Sequence, residues 1–394
     1  MMERLTTLAQ VTAEAIGQAP ALAARLSAAG IAAGDLARAG VLDTLPVMQK
    51  TDLIAQQAAN PPFAGYLSVP LDEVAHVFAS PGPVFEPVLR GHGAHGFELM
   101  FQASGLGSGD VALNTWSYHL VPAGLIFDTG ARATGATVIP SGPGQTELQV
   151  TLIENLGVTA FLGSTAYFEK VAKVYAATYG STKGRWTITR AFLGGEPGDW
   201  MGKRARLEAE HGIKTYGAYG TADLGLVGYE EDGQPGYLCH PYRLVQICDP
   251  ATGAPLPIGV EGQIVVTTLA RGWPMVRFGT GDLAQALALS DDGFVSRMSG
   301  VTGRVGDGVK VREIFLYASH ATALAQSLGT DVEASFRVWR EDGVDRITIE
   351  LSGAAPPDAE VRDIFHQLTR LRVDYIRRQK RLTNPTLLED SRVF

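Results

Sequence analysis

The chain has 394 residues, of which 45% are hydrophobic and 19% are charged, and its net charge is −8 at pH 7. This composition is typical of a globular protein with two or three sizeable domains, and the acidic balance favours neither nucleic acid nor a membrane surface as a partner. Apolar runs fall short of the roughly 18 residues of a membrane helix, and two cysteines imply no disulfide framework.

The first part of the chain predicts helices and then a parallel sheet. Residues 1–60 carry apolar side chains at helical spacing and predict two or three helices, broken at Gly30, Gly34 and Gly40. From about residue 95, short apolar runs alternate with helical stretches such as 165–179. This alternation predicts a mostly parallel sheet covered by helices on both faces. The N-terminus lacks a basic segment followed by an apolar one, so no signal peptide and a cytoplasmic location are expected.

The pattern changes twice more towards the C-terminus. Residues 237–300 contain strands joined by a Pro/Gly turn, which predicts a smaller antiparallel sheet or barrel. After residue 302 we expect a helix at 318–328, a hairpin that turns at 341–343 and a helix at 358–372. A late basic run contains Arg370, Arg372, Arg377, Arg378, Lys380 and Arg381. An acidic residue, Asp374, lies within it, so it is interpreted as a solvated helix face rather than a binding patch.

The predicted fold class is therefore α/β. A large N-terminal region of mixed and parallel sheets, covered by helices and joined by a small antiparallel sheet or barrel, spans residues 1–302. A small α+β domain follows at 303–394.

Other short patterns in the sequence carry little information. The glycines of SGLGSGD at 104–110 precede a predicted strand, whereas a dinucleotide-binding fingerprint follows one, so a plain turn is expected. The sequence contains neither a GxxxxGK[ST] phosphate loop nor a GxSxG nucleophile elbow. Cys239, His240 and Cys248 could contribute to a zinc site, but a fourth ligand is not evident.

Four stretches are informative together because of their order and spacing. They are LGGEP at 193–197, YGAYGTADLG at 216–225, RFGTGDL at 277–283 and GRVGDGVKVRE at 303–313. The first two follow predicted strands, and ligands of open α/β sheets bind outside the carboxyl ends of the strands. The collinear set resembles the adenylate-forming superfamily, in particular its phenylacetate–CoA ligase branch. Further similar segments lie at 45–53, 107–124, 130–146 and 248–269.

The resemblance implies an acid–thiol ligase whose first domain binds AMP and whose small C-terminal domain is mobile. Such enzymes use ATP and Mg²⁺ to convert a carboxylic acid into an acyl-adenylate, and they usually transfer the acyl group to coenzyme A. The branch implies an aromatic acid and a homodimer. The implied partners are a small carboxylic acid and an adenine nucleotide, with no nucleic acid and no membrane.

The resemblance also assigns roles to individual residues. The adenine would be lined by Gly195, Glu196 and Pro197 and stacked on Tyr219, while Gly220 and Thr221 would approach the α-phosphate. Asp282 would accept hydrogen bonds from the ribose, and Arg304 would reach the ribose or the phosphate. Thr221 and Arg304 are the catalytic candidates, and Asp223 stands where the family has a magnesium-binding glutamate. The candidates for the substrate pocket are Tyr118, His119 and Phe168.

Departures from the family pattern cluster where the phosphates of ATP would bind. A loop resembling SSGTTGKP aligns with Ser80–Pro87, in which Pro81 and Pro83 remove two N–H donors and Glu86 replaces a lysine. The lysine near the family's C-terminus also has no match, since Glu389 or Asp390 falls at its place.

Three hypotheses remain open at this point. The chain is a divergent ligase, an enzyme that performs only part of the cycle on AMP or an acyl-adenylate, or a non-catalytic protein that keeps the inherited fold.

Overall fold

The computed structural model describes residues 3–80, 84–194, 200–306, 308–312, 314–316, 318–382 and 386–392, with backbone only at 200, 201, 315 and 319. These residues form two compact units, of which the first extends to Gly303 and the second begins at Arg304. Within this part of the chain, every helix is too short or too polar to cross a membrane.

The helices of both units have the following bounds, with additional 3₁₀ turns at Ala33–Ala37 and Leu71–Glu73. They are α1 (Glu3–Ala15), α2 (Pro20–Ala28), α3 (Val41–Thr44), α4 (Lys50–Ala59), α5 (Glu98–Ala103), α6 (Ala123–Ala133), α7 (Thr146–Leu156), α8 (Thr165–Tyr179), α9 (Trp200–His211), α10 (Ala318–Leu328) and α11 (Asp358–Thr369).

The strands alternate with these helices in the first half of the chain and follow one another in the second. They are β1 (Met48–Gln49), β2 (Val74–Ser80), β3 (Val84–Leu89), β4 (Val111–Asn114), β5 (Thr137–Pro140), β6 (Ala160–Ser164), β7 (Arg190–Gly194), β8 (Lys214–Tyr216), β9 (Ala218–Thr221), β10 (Gly225–Tyr229), β11 (Tyr237–Cys239), β12 (Arg243–Cys248), β13 (Glu261–Thr268), β14 (Phe278–Leu289), β15 (Val295–Met298), β16 (Gly303–Arg304), β17 (Val309–Val311), β18 (Ile314–Leu316), β19 (Glu333–Glu341), β20 (Val344–Ser352), β21 (Tyr375–Gln379) and β22 (Leu388–Asp390).

The predicted parallel sheet is present in the order β5-β4-β6-β7-β8, and each neighbouring pair is parallel. Its strands are short apolar runs, as expected for a sheet buried on both faces. Helix α8 begins where Ser164 Oγ accepts a hydrogen bond from the N–H of Tyr167, and it ends at Gly180, whose φ is +95°. Alternation of strand and helix therefore predicted this layer correctly.

The antiparallel sheet is larger than the sequence indicates. Seven of its strands follow the order β12-β13-β14-β15-β11-β10-β9, and β1 pairs with β14 in parallel. The stretch 216–225, interpreted as the end of one strand, is divided between two sheets. Tyr216 ends β8, and β9 then pairs with β10 in the antiparallel sheet. Tyr219 and Thr221 are consequently strand residues.

The N-terminal helices occur where helical spacing predicts them. Gly30 and Gly40 adopt φ values of +68° and +80° beside the ends of helical segments, a conformation that suits glycine. Gly34 does not break a helix, because it lies inside the 3₁₀ turn Ala33–Ala37.

The second unit contains helices α10 and α11 and a sheet in the order β21-β20-β19-β22. The hairpin between β19 and β20 turns at Asp342 and Gly343, both of which have positive φ, as sequence analysis predicts. The interpretation of the basic run as a helix face is wrong. Helix α11 ends before Arg370, whose φ is +62°, and Arg377 and Arg378 lie on the edge strand β21. Charged residues on an edge strand discourage pairing with other chains.

Candidate functional site

The carboxyl ends of the parallel strands meet at one edge of their sheet, and β4 is followed there by a tightly held turn. Asn114, which is fully buried, donates from Nδ2 to Tyr118 Oη and to the carbonyl of Gly124, both over 2.8 Å. Its Oδ1 accepts the N–H of Trp116. Ligands of open α/β folds bind at such an edge, so this turn is well placed to line a pocket.

Tyr219 and Asp282, which sequence analysis assigns to the adenine and the ribose, are in direct contact. The Tyr219 hydroxyl donates to Asp282 Oδ2 over 2.8 Å, although the two residues lie on different strands, β9 and β14. Tyr219 is buried and Asp282 is half-buried. The antiparallel sheet therefore brings an aromatic ring and a carboxylate together, a combination suited to a nucleoside.

Gly220 and Thr221 follow Tyr219 and lead into a tight turn. A Cβ on Gly220 would lie 2.6 Å from the carbonyl oxygen of Gly225, so the backbone here approaches its neighbour more closely than a side chain permits. Thr221 Oγ1 accepts the N–H of Leu224 over 3.3 Å. The turn that would face the α-phosphate is thus held by close contacts within residues 220–225.

Gly195, Glu196 and Pro197 lie outside the described residues. Arg304 belongs to the second unit.

The three substrate-pocket candidates differ from one another. His119 is exposed, and Tyr118 is half-buried, with its hydroxyl between Asn114 and Asp128. Burial, followed by the nearby Asp128 carboxylate, raises the pKa of Tyr118. Phe168 is fully buried and packs against Phe161 and Trp186 as a core side chain does. Tyr118 and His119 therefore remain the candidates for the substrate pocket.

Asp223, the predicted metal ligand, is held by a lysine that sequence analysis did not single out. Lys50 Nζ donates to Asp223 Oδ2 over 2.7 Å; the aspartate side chain is inaccessible to solvent, whereas that of lysine is 27% exposed. Lys50 lies within the family-like segment 45–53, but its position beside Asp223 depends on a contact across 173 residues. No sequence signal links the two.

Glu86 is a third ionisable residue beside Lys50 and Asp223. It lies on the inward face of β3, between the buried Val84 and Val88, because alternate residues of a strand face the same side. Ser80 Oγ donates to Glu86 Oε1 over 2.6 Å. Burial, followed by the Asp223 carboxylate, raises the pKa of Glu86 to about 8. The neighbouring Asp223 carboxylate thus disfavours the charged form of Glu86.

The segment aligned with a phosphate loop is largely a β-hairpin. Strands β2 and β3 pair in register from Phe78–Glu86 to Ser80–Val84, so the aligned residues 80 and 84–87 are strand residues. The N–H and the carbonyl of Phe85 are both bound, over 2.8 Å, by the side-chain amide of the buried Gln57. The backbone donor of Phe85 is thus already engaged by a protein group.

Curated phenylacetate–coenzyme A ligases are similar to this chain. It is 28% identical over 371 residues to the one from Thermus thermophilus, with 88% of this chain and 82% of that protein covered. It is 30% identical over 312 residues to the one from Aromatoleum evansii, with 75% and 68% covered. The chain belongs to the phenylacetate–coenzyme A ligase family.

A solved structure of 2-hydroxyisobutyryl-CoA ligase in complex with 2-HIB-AMP and CoA shares the fold of this family member. The TM-score is 0.84 at 24% sequence identity, over 99% of this chain and 89% of that one. No family model matches the chain.

Magnesium, which the family resemblance implies, does not fit the residues at Asp223. Mg²⁺ requires near-octahedral oxygen coordination, whereas one oxygen of Asp223 already accepts from an ammonium group. Among the described residues, no group of three His, Cys, Asp or Glu side chains could hold a metal ion, which applies equally to Cys239, His240 and Cys248. Cys248 instead contacts the guanidinium of Arg277.

The loop at Gly96 packs on a buried histidine, His240, of this ligase-family fold. A Cβ on Gly96 would lie 2.5 Å from His240 Nε2, and His240 Nδ1 accepts the N–H of Tyr242 over 3.0 Å. Burial, followed by the charge of Arg243, lowers the pKa of His240 to about 3. The imidazole is therefore neutral at neutral pH.

We expect the substitution His240→Gln to make stability less sensitive to acid. The folded-state pKa of His240 lies below the ordinary 6.5, so its contribution is complete above pH 6.5 and is lost as the pH falls towards 3. Relative to the variant, the wild type should lose up to about 1.4 kcal/mol of unfolding free energy per pH unit in that window. Urea denaturation at several pH values measures this difference. The exposed His76→Gln is the control, and a difference that stays constant with pH would contradict the prediction.

Proposed function

We propose that this protein is an acid–thiol ligase that converts a small carboxylic acid, aromatic by its family, into a coenzyme A thioester through an acyl-adenylate. The observation that carries this proposal is the hydrogen bond from Tyr219 to Asp282 beside the carboxyl ends of a parallel sheet. A ring for adenine and a carboxylate for the ribose hydroxyls are the minimum that an adenylate requires.

The proposed chemistry has two steps. An oxygen of the acid attacks the α-phosphorus of ATP. The bond between that phosphorus and the oxygen bridging to the β-phosphate breaks, and pyrophosphate leaves. The sulfur of coenzyme A then attacks the acyl carbon, and AMP leaves as the C–O bond breaks. Thr221 would steady the α-phosphate from its fixed turn, and Arg304 would add positive charge where negative charge accumulates. A homodimer and a cytoplasmic location stay predictions.

The hairpin β2–β3 favours a second candidate, in which the protein performs only the later step on a preformed acyl-adenylate. A phosphate loop binds through free backbone N–H groups and a lysine. Here the N–H of Phe85 is bound by Gln57, and the buried Glu86 stands at the place of the lysine. A buried carboxyl group adds no attraction for the β- and γ-phosphates of ATP.

One experiment with two substrate mixtures tests both candidates. Phenylacetate, ATP and coenzyme A should yield phenylacetyl-CoA if the full cycle operates, and a panel of aromatic and short-chain acids extends the search. Synthetic phenylacetyl-adenylate with coenzyme A should yield the thioester under either candidate, and AMP should then bind at least about tenfold more tightly than ATP under the second. Absence of thioester from every acid and every adenylate would contradict both.

A further inference from the structure

Asp223 is neutralised by a cation that the chain itself supplies. Lys50 Nζ lies 2.7 Å from Asp223 Oδ2, and the carboxylate is wholly enclosed. We propose that the ammonium of Lys50 takes the place of a divalent metal ion at Asp223, and that this site binds a nucleoside monophosphate or its acyl ester without magnesium.

The ammonium is fixed in position by the backbone that carries it. Lys50 is the first residue of α4 and follows β1, which pairs with Phe278 and Gly279 of β14. Strand β14 also carries Asp282. The N–H of Gln49 donates to Asp52 Oδ2, which closes the first turn of the helix. The charge of Lys50 is thus held by the same sheet as the predicted ribose contact.

Charge and ligand number both oppose a metal ion here. A divalent cation bound to Asp223 would lie within a few ångströms of the ammonium, and like charges at that distance repel strongly away from bulk water. Among the described residues, no group of three His, Cys, Asp or Glu side chains could hold a metal ion here, and Glu86 Oε1 already accepts a hydrogen bond from Ser80 Oγ.

The inference rests on the proposed function for its ligand. Asp223 lies two residues after Thr221, which is assigned to the α-phosphate, and the lysine side chain is 27% exposed beside it. An ammonium is a compact point charge with three donors and suits a single phosphate. A triphosphate would ordinarily bring Mg²⁺ with it.

The first test uses the unaltered full-length protein. Its affinity for AMP, measured by calorimetry, should change by less than about twofold between EDTA and millimolar Mg²⁺. Electron paramagnetic resonance should detect no Mn²⁺ bound at Asp223. The amount of bound Mn²⁺ should therefore be the same in the wild type and in Asp223→Asn. An AMP affinity that Mg²⁺ raises by about tenfold or more, or Mn²⁺ that depends on Asp223, would overturn the proposal.

The second test removes the ammonium. Lys50→Ala should weaken AMP binding in EDTA by about tenfold or more, and millimolar Mg²⁺ should restore part of this loss because Asp223 becomes available to a metal ion. Lys214→Ala, which breaks the exposed pair with Asp232 at the start of β8, is the matched control and should leave AMP affinity unchanged. If Lys50→Ala binds AMP as the wild type does, the proposal fails.

The two proposals can fail separately. If Lys50→Ala does not fold, the double variant Lys50→Ala/Asp223→Asn removes both members of the pair, and it should bind AMP weakly without responding to Mg²⁺. If the wild type does not bind AMP, the proposed function fails, whereas the Mn²⁺ measurements still decide whether Lys50 excludes a metal from Asp223.

Discussion

Replacement of Arg277 by methionine should lower the free energy of unfolding by about 3–5 kcal/mol. Arg277 is the largest fully buried side chain among the described residues. Its guanidinium donates to the carbonyls of Asp43 and Leu45, over 2.5 and 2.8 Å, and to that of Gly253. Methionine fills a similar volume but provides no donor, so the three carbonyls would lose their charged partner. Guanidinium chloride denaturation of the full chain measures the loss.

A matched arginine separates this effect from the general consequence of losing a positive charge. Arg206 is exposed on α9, and Arg206→Met should change the unfolding free energy by less than about 0.5 kcal/mol. A loss of under about 1 kcal/mol for Arg277→Met would show that the three carbonyls find other donors or water.

The substitution Asp282→Ala should weaken AMP binding by about 100-fold, if the proposed function is correct. The carboxylate would accept hydrogen bonds from two ribose hydroxyls, and a bond to a charged acceptor contributes about 1.5–3 kcal/mol. The substitution also removes the acceptor of the Tyr219 hydroxyl and so loosens the ring predicted to stack on adenine. Calorimetric titration with AMP is the measurement.

Two companion variants define what Asp282 contributes. Asp291→Ala alters an exposed carboxylate in the turn after β14 and should leave AMP affinity unchanged. Tyr219→Phe keeps the ring and removes only its hydroxyl, so its effect should be smaller than that of Asp282→Ala. If Asp282→Ala reduces AMP affinity by less than about threefold while the protein stays folded, the ribose does not bind there.

Local patterns in the sequence were sufficient for most of the fold. The parallel sheet follows from buried apolar runs between helices, and the hairpin at Asp342 and Gly343 follows from turn chemistry. The resemblance also selected Tyr219 and Asp282, which the structure joins by a hydrogen bond. The two fold predictions share a cause, since each depends on residues that are adjacent along the chain, whereas the roles of Tyr219 and Asp282 stay predictions.

The centre of the site depends instead on contacts between distant segments. Lys50, Glu86 and Asp223 come from α4, β3 and the turn after β9, and no local propensity predicts that they meet. The prediction that the basic run forms a helix face is wrong for a related reason. Its spacing is compatible with a helix, but Arg370 adopts a left-handed conformation and the chain continues as a strand paired with β20. Pairing with the sheet outweighed local preference.

The pair of hydrogen bonds between Gln57 and Phe85 has a consequence for engineering this segment. Exchanging Glu86 for lysine would restore one side chain, but β3 would remain paired with β2 and the N–H of Phe85 would remain bound. A loop with free backbone N–H groups would require the contact with Gln57, the strand pairing and the proline positions to change together. A variant with only some of these changes would lose packing before it gained affinity for a triphosphate. If the protein performs only the later step, engineering ATP use into this scaffold therefore calls for transplanting a whole loop rather than exchanging one side chain.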